Sequence, residues 1–209
     1  MAQWVRDGGL WKFAPLLERR DGGLWKEPSI QEGREGSAWK RHYAPEVLAP
    51  SGDVSATGAW EDTTGGDGDG AFWDELVGET ADLTSYVRAL FATSDETLRV
   101  ALADPTKTHG VFQRHWIRGR IRPWIDAGEP DIEVTATLFD TTTGQVGTPQ
   151  TFTFTETDSG NWFPIDYELA DGASPSDYSA TEIELFVDKQ STGFEQVACE
   201  CAWLALDIN

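Results

Sequence analysis

Cysteine, methionine, histidine and long apolar runs are nearly missing from this chain, and each scarcity removes a class of function. The two cysteines, Cys199 and Cys201, sit two apart. On a strand they point to the same side with side chains several Å apart, so they are expected as buried thiols rather than a disulfide. Two ligands are also too few for a structural zinc site. No stretch reaches the roughly 18 apolar residues of a spanning helix. The N-terminus has no charged segment followed by an apolar one, so neither a signal peptide nor membrane insertion is expected. The histidines are only His42, His109 and His115. No nucleophile elbow, His-x-x-x-His helix or Gly-rich strand-to-helix loop accompanies them. Catalysis lacks its usual parts, and the expectation is a protein that is not an enzyme. Paired carboxylates, the glycosidase signature, carry no information among 36 Asp and Glu.

Positive charge is scarce too, and unevenly so. The chain has a net charge of -20 over 209 residues. Residues 1 to 43 hold eight Lys and Arg against six Asp and Glu, whereas only eight cations face thirty acids after Tyr43. The first segment is mildly basic and the body strongly acidic. Such a body repels nucleic acid and anionic membrane surfaces. The composition fits work in very high salt, where the Debye length shrinks to roughly 3 Å.

What is present in abundance is a repeat. Arg6-Asp7-Gly8-Gly9-Leu10-Trp11-Lys12 recurs identically as Arg20-Asp21-Gly22-Gly23-Leu24-Trp25-Lys26, and a worn third copy runs Arg34-Glu35-Gly36-Ser37-Ala38-Trp39-Lys40. A heptad at a fixed spacing marks a duplicated structural unit. Asp-Gly-Gly favours a tight hairpin turn, and Leu-Trp-Lys a short extended stretch. One hairpin of this size is marginal alone. Three could stack side by side or lie along a partner with one Trp anchor each. Residues Trp4, Arg6, Trp11, Lys12, Arg20, Trp25, Lys26, Arg34, Trp39 and Lys40 are therefore the expected contacts of a docking arm.

The body reads as strands. Leu98, Val100 and Leu102 alternate; so do His115, Ile117, Gly119 and Ile121 against Trp116, Arg118, Arg120 and Arg122. Ile132, Val134, Ala136 and Leu138 follow, then Ile183, Leu185 and Val187. In the last run Val197, Cys199, Cys201 and Trp203 are expected on one face, with Glu200 on the other. Helix is confined to short pieces near Glu75–Leu76 and Ser174–Tyr178. Period-two runs separated by turn signals predict an all-β sandwich. The expected division is an arm over 1–43, a linker or first strand over 44–58, and a sandwich over 59–209.

The succession Gly58-Ala59-Trp60, Asp74-Glu75-Leu76, Thr84-Ser85-Tyr86-Val87-Arg88, the Arg-alternating strand 116–122, Val134 to Asp140, Trp162-Phe163 and Trp203-Leu204-Ala205-Leu206 resembles a jelly roll. It is similar to the carbohydrate-binding-module-like sandwich of tailed-virus structural proteins. The Arg-Asp-Gly-Gly-x-Trp-Lys phrase is similar to repeats of phage tail and baseplate-region proteins. Together these resemblances imply a virion protein of a tailed virus with a halophilic host, assembled in the host cytoplasm. Its partners would be other virion proteins and further copies of itself, in the tail or baseplate. A capsid-surface turret or decoration protein is the alternative placement. A carbohydrate-binding receptor module for host surface glycans is the alternative function.

Three further groups are candidates. Asp67 and Asp69, with Asp74 and Glu75, offer oxygens for a structural calcium, as jelly rolls often do, although the loop lacks the closing Glu of an EF-hand. Arg118, Arg120 and Arg122 share one strand face with Trp116 and Trp124. They would either contact an acidic subunit or sugar, or pair across strands with carboxylates such as Glu133 or Glu184. Among the loop aromatics, Trp73 and Trp124 are expected exposed and available to a glycan, whereas Trp60 and Trp162 follow core patterns.

Overall fold

The structure is a computed structural model. It describes residues 3–7, 10–14, 19–21, 24–26, 30–35, 38–43, 45–57, 60–63, 71–77, 86–89, 95–107, 109, 113–170, 173–188 and 197–209, with side chains from Pro45 onward except Asp62 and Thr63. Three antiparallel hairpins come first. They are β1 (Gln3–Asp7) with β2 (Leu10–Ala14), β3 (Arg19–Asp21) with β4 (Leu24–Lys26), and β5 (Ile30–Glu35) with β6 (Ala38–Tyr43). Their registers are equivalent. The closing pairs are Asp7 with Leu10, Asp21 with Leu24, and Glu35 with Ala38. The pair before each is Arg6 with Trp11, Arg20 with Trp25, and Arg34 with Trp39. The 14-residue period is thus a hairpin period, and each copy sets its Arg opposite its Trp.

Strands β7 (Glu46–Leu48), β8 (Pro50–Thr57), β9 (Trp60–Thr63), β10 (Tyr86–Ala89), β11 (Glu96–Leu102), β12 (His115–Ile125), β13 (Ile132–Asp140), β14 (Gly144–Phe154), β15 (Phe163–Glu168), β16 (Thr181–Asp188) and β17 (Val197–Ile208) build the body. The front sheet runs β15-β12-β17-β10-β9, with β7 also on β17; the back sheet runs β14-β13-β16-β11-β8. Every pairing is antiparallel. Taken from β10 to β17, the chain distributes its eight strands between the sheets in the order of a jelly roll. The all-β sandwich expected from the alternation is what the chain forms. Within the stretch expected as a linker or first strand, β7 joins the front sheet and β8 forms the edge of the back one.

The alternation becomes burial directly. β11 and β12 alternate buried and half-buried along their whole lengths. Leu98, Val100, Ile117, Ile121, Ile132, Leu138, Ile183, Leu185, Leu204 and Leu206 fill the space between the sheets. Each such side chain contributes roughly 1.5–3 kcal/mol by leaving water. β17 lies inside the front sheet and is buried on both faces except at Trp203. Helix is limited, among the described residues, to 3-10 turns at Asp74–Leu76, Glu156–Asp158 and Tyr178–Ala180. None is long and apolar enough to cross a membrane.

One expected facing is reversed. Arg120 pairs with Trp203, but Ile121 pairs with Cys201, so Ala202 is an extra residue on β17. Such a bulge shifts the pleat by one position. Cys201 therefore faces the core while Trp203 turns outward, onto the face of Arg120. Both cysteines are buried thiols and form no disulfide, as expected. Burial pushes the Cys201 thiol up to about 12.

Candidate functional site

The outward face of the front sheet collects several of the body's arginines and aromatics. β12 presents Trp116, Arg118, Arg120, Arg122 and Trp124, because Ile117, Gly119 and Ile121 take the inward positions. Across on β17 stand Asp207, Ala205, Trp203 and Glu200; across on β15 stand Glu168, Asp166 and Pro164. Gly119 is the close-packing point beneath. A Cβ there would lie 2.7 Å from the Trp203 carbonyl oxygen and 3.2 Å from Ile165 and Leu204 methyls. A Thr155–Asp158 capping box and the turn after it hold the end of β12. The Ser159 hydroxyl accepts from the Ile125 N–H at 2.9 Å, and Gly160 donates to the Pro123 carbonyl at 2.8 Å.

Charge on this face is arranged in two groups. At one end the Glu200 carboxylate, wholly buried, receives Arg88 (Nε to Oε1, 2.7 Å) and Arg122. The Arg122 guanidinium sits 4.5 Å from the Trp162 ring centre, 5.1 Å from Trp124 and 5.2 Å from Tyr86. A cation so enclosed is stabilised both by the carboxylate and by the negative ring faces. At the other end Arg118 bridges Asp166 (3.3 Å) and Asp207 (2.6 Å), and Arg114 holds Glu168 at 2.7 Å. Both guanidinia lie within 6 Å of the Trp116 ring centre: Arg114 at 5.5 Å, Arg118 at 5.8 Å. Between the groups, Val47, Arg118, Trp203, Ala205 and Asp207 line a cavity of about 280 Å³.

The structure thus brings Arg118, Arg120, Arg122 and Trp124 together and adds Trp203, Trp162 and Tyr86. Trp162 is on this outer face and not in the core, stacked over Arg122 and edge-on to Tyr86 at 6.2 Å. Trp73 is elsewhere, half-buried and packed against the core, as Trp60 is. The expected cross-strand partners are also different. Glu133 and Glu184 belong to the back sheet, where Glu184 lies 3.9 Å from Arg99. For calcium, Asp67 and Asp69 lie outside the described residues, and Asp74 and Glu75 occupy the 3-10 turn after Trp73. No cluster of three or more His, Cys, Asp or Glu suited to a metal occurs among the described residues. The side chains of the ten docking-arm candidates likewise lie outside the described ones; only their strands and registers are given.

A second polar cluster closes one end of the sandwich. His115 Nε2 meets the Tyr178 hydroxyl at 2.6 Å, with the two rings stacked. His109 packs on the same tyrosine, contacts Glu46 at 2.6 Å and faces Gln113 at 3.1 Å. Burial, reinforced by the nearby His109, lowers His115 to about 4, so it is neutral at pH 7. Burial raises Tyr178 to about 12. Glu46 is raised by burial but brought below the usual carboxylate range by hydrogen bonds from Thr106, His109 and Lys107 together. His115 thus takes the buried, inward position that the strand alternation predicted, held against Tyr178. The sequence gives no sign that His109 would join it.

Neither a protein-family model nor a curated protein matches the sequence. Solved structures do. The enzymatically active domain of bacteriophage CBA120 tailspike protein 4 matches at 8% identity and a TM-score of 0.41, covering 79% of this chain and 19% of that one. Arthrobacter globiformis T6 isomalto-dextranase complexed with panose matches at 14% identity and 0.43, covering 80% and 24%. The structure of infectious bursal disease virus, Gx strain, matches at 10% identity and 0.33, covering 92% and 41%. This chain spans well under half the length of each, and nothing about its ligands or assembly follows from the likeness.

Proposed function

We propose that the chain is a non-enzymatic structural component of a virion, with the hairpin arm, 1–43, as its anchor and the acidic sandwich projecting from it. The observation that carries this reading is the equivalent register of the three hairpins, which repeats one Arg-opposite-Trp pair at Arg6/Trp11, Arg20/Trp25 and Arg34/Trp39. Arg and Trp are the residues most often found at the energetic centre of protein interfaces. A partner that accepts one such pair accepts three in series, and linked sites gain affinity without new kinds of contact. The resemblance of the repeat phrase to tail and baseplate-region proteins supports a partner in a tail; a capsid turret or decoration is the alternative position. Other virion proteins and further copies of this chain, arranged about a symmetric hub, are the expected neighbours.

The test is particle incorporation. A chain lacking residues 1–43 should give a soluble body with the thermal transition of the full protein and be missing from purified particles. Normal incorporation of the truncated chain would remove the arm from the anchoring role. Tracing the full chain in cryo-electron microscopy density of intact particles distinguishes tail from capsid.

A further inference from the structure

Among the residues whose side chains are described there are six arginines, and five of them are held by carboxylates: Arg88 and Arg122 by Glu200, Arg99 by Glu182, Arg114 by Glu168, and Arg118 by Asp166 and Asp207. Arg120 is the sixth. Its cross-strand neighbours are Pro164 on β15 and Trp203 on β17, so neither offers a carboxylate. In a chain of net charge -20, a half-buried arginine without an acidic partner stands out against its five paired neighbours. It sits mid-strand on the outward face, and Trp203 opposite it also lines the cavity with Val47, Arg118, Ala205 and Asp207.

We propose that Arg120, Trp203 and the adjoining cavity form a binding site for an acidic sugar residue of the hexuronate class. The sugar carboxylate goes to the Arg120 guanidinium, whose planar fork matches it. The ring lies against the Trp203 indole and Val47, which is 39% exposed. Its hydroxyls donate to Asp207 and accept from the free N–H groups of Arg118, since a guanidinium has five donors and the two ion pairs leave some unused. The cavity of about 280 Å³ falls just below the ~300 Å³ at which drug-sized sites begin, which suits one sugar ring. The charge pattern favours sugar over an acidic peptide. A peptide carboxylate would approach Asp166 and Asp207 along with Arg120, whereas a hexuronate offers those acids hydroxyl donors and keeps its own charge at one end. This site is separate from the anchoring arm and stands whether or not the arm docks to a particle.

The experiment is saturation-transfer NMR on the full chain with sodium glucuronate, glucose and a poly-glutamate peptide as probes. Glucuronate should bind and glucose should bind at least tenfold more weakly. Arg120→Gln should weaken glucuronate roughly tenfold or more, as expected for loss of a charge-assisted pair, with an unchanged thermal transition because no protein partner is lost. Arg120→Lys, which keeps the charge without the fork, should fall between. Trp203→Phe should weaken glucuronate and glucose alike. Equal binding of glucose and glucuronate, indifference to Arg120→Gln, or no glucuronate binding would each overturn the proposal. Poly-glutamate binding without glucuronate binding would overturn it in favour of a protein partner.

Discussion

Single residues in this body are tuned mostly by what is buried beside them. Glu200 is wholly buried and two guanidinia face it, an arrangement in which removing one partner costs far more than the pair contributes. His115 takes the opposite course. It is buried against the Tyr178 hydroxyl, the His109 ring and the Ala173 backbone, and burial holds it neutral. Its folded value of about 4 lies below the ordinary 6.5, so between those values the unfolded chain binds the extra proton. Stability from this residue is therefore complete above about pH 6.5 and is lost as the pH falls toward 4, by at most about 3 kcal/mol. The chain has two other histidines, so the contribution of His115 is read as the difference between the unaltered chain and His115→Gln. Urea unfolding at pH 7.5, 6.5, 5.5 and 5.0 should show a falling free energy, and His115→Gln should flatten it. A flat profile in the unaltered chain would mean that His115 is protonated in place.

Strands are where the sequence was most readable. Period-two runs gave β11, β12, β13 and β16 with the correct inward residues, because a half-buried strand leaves its pleat in the order of its side chains. The paired strands of the repeat were equally readable, since a turn signal at a fixed 14-residue spacing separates the extended stretches. Facing failed at Trp203 for a physical reason: the extra residue at Ala202 reverses the pleat, and no local residue type announces it. Partner choice failed for another, since Arg118 and Arg122 find carboxylates on strands 48 and 78 residues away. Only tertiary pairing decides that. The same pairing makes a prediction for β12. Gly119 is the inward residue where β17 comes closest, and an added methyl would meet the Trp203 carbonyl at 2.7 Å. Overpacking of this kind costs about 1–3 kcal/mol. Gly119→Ala should lower Tm by several degrees, and since the collision is with the residue that carries the Trp203 side chain, tryptophan fluorescence should shift in the folded state too. A variant with unchanged Tm would mean that β17 yields without loss of pairing.

For the molecule as a whole the dominant electrostatic fact is imbalance: after Tyr43 eight cations meet thirty acids. Most carboxylates can have no cation of their own, and their mutual repulsion disfavours the compact state. Salt acts on two terms of opposite sign. It screens this repulsion, with a Debye length falling from about 10 Å at 0.1 M to about 3 Å at 1 M. It also weakens exposed pairs such as Arg114–Glu168, where the arginine side chain is 63% exposed, but such pairs contribute only about 0–1 kcal/mol each. The buried Glu200 pairs are screened little, because water and ions do not reach the carboxylate. Repulsion summed over the surplus acids therefore outweighs what the few exposed pairs lose. The urea midpoint of the body should rise steadily in potassium chloride from about 0.1 M to about 1 M, and the gain should diminish once the Debye length is shorter than the spacing of neighbouring carboxylates. A midpoint that falls over this range would mean that attraction among the Arg–carboxylate pairs, and not repulsion among the surplus acids, sets the stability of the sandwich.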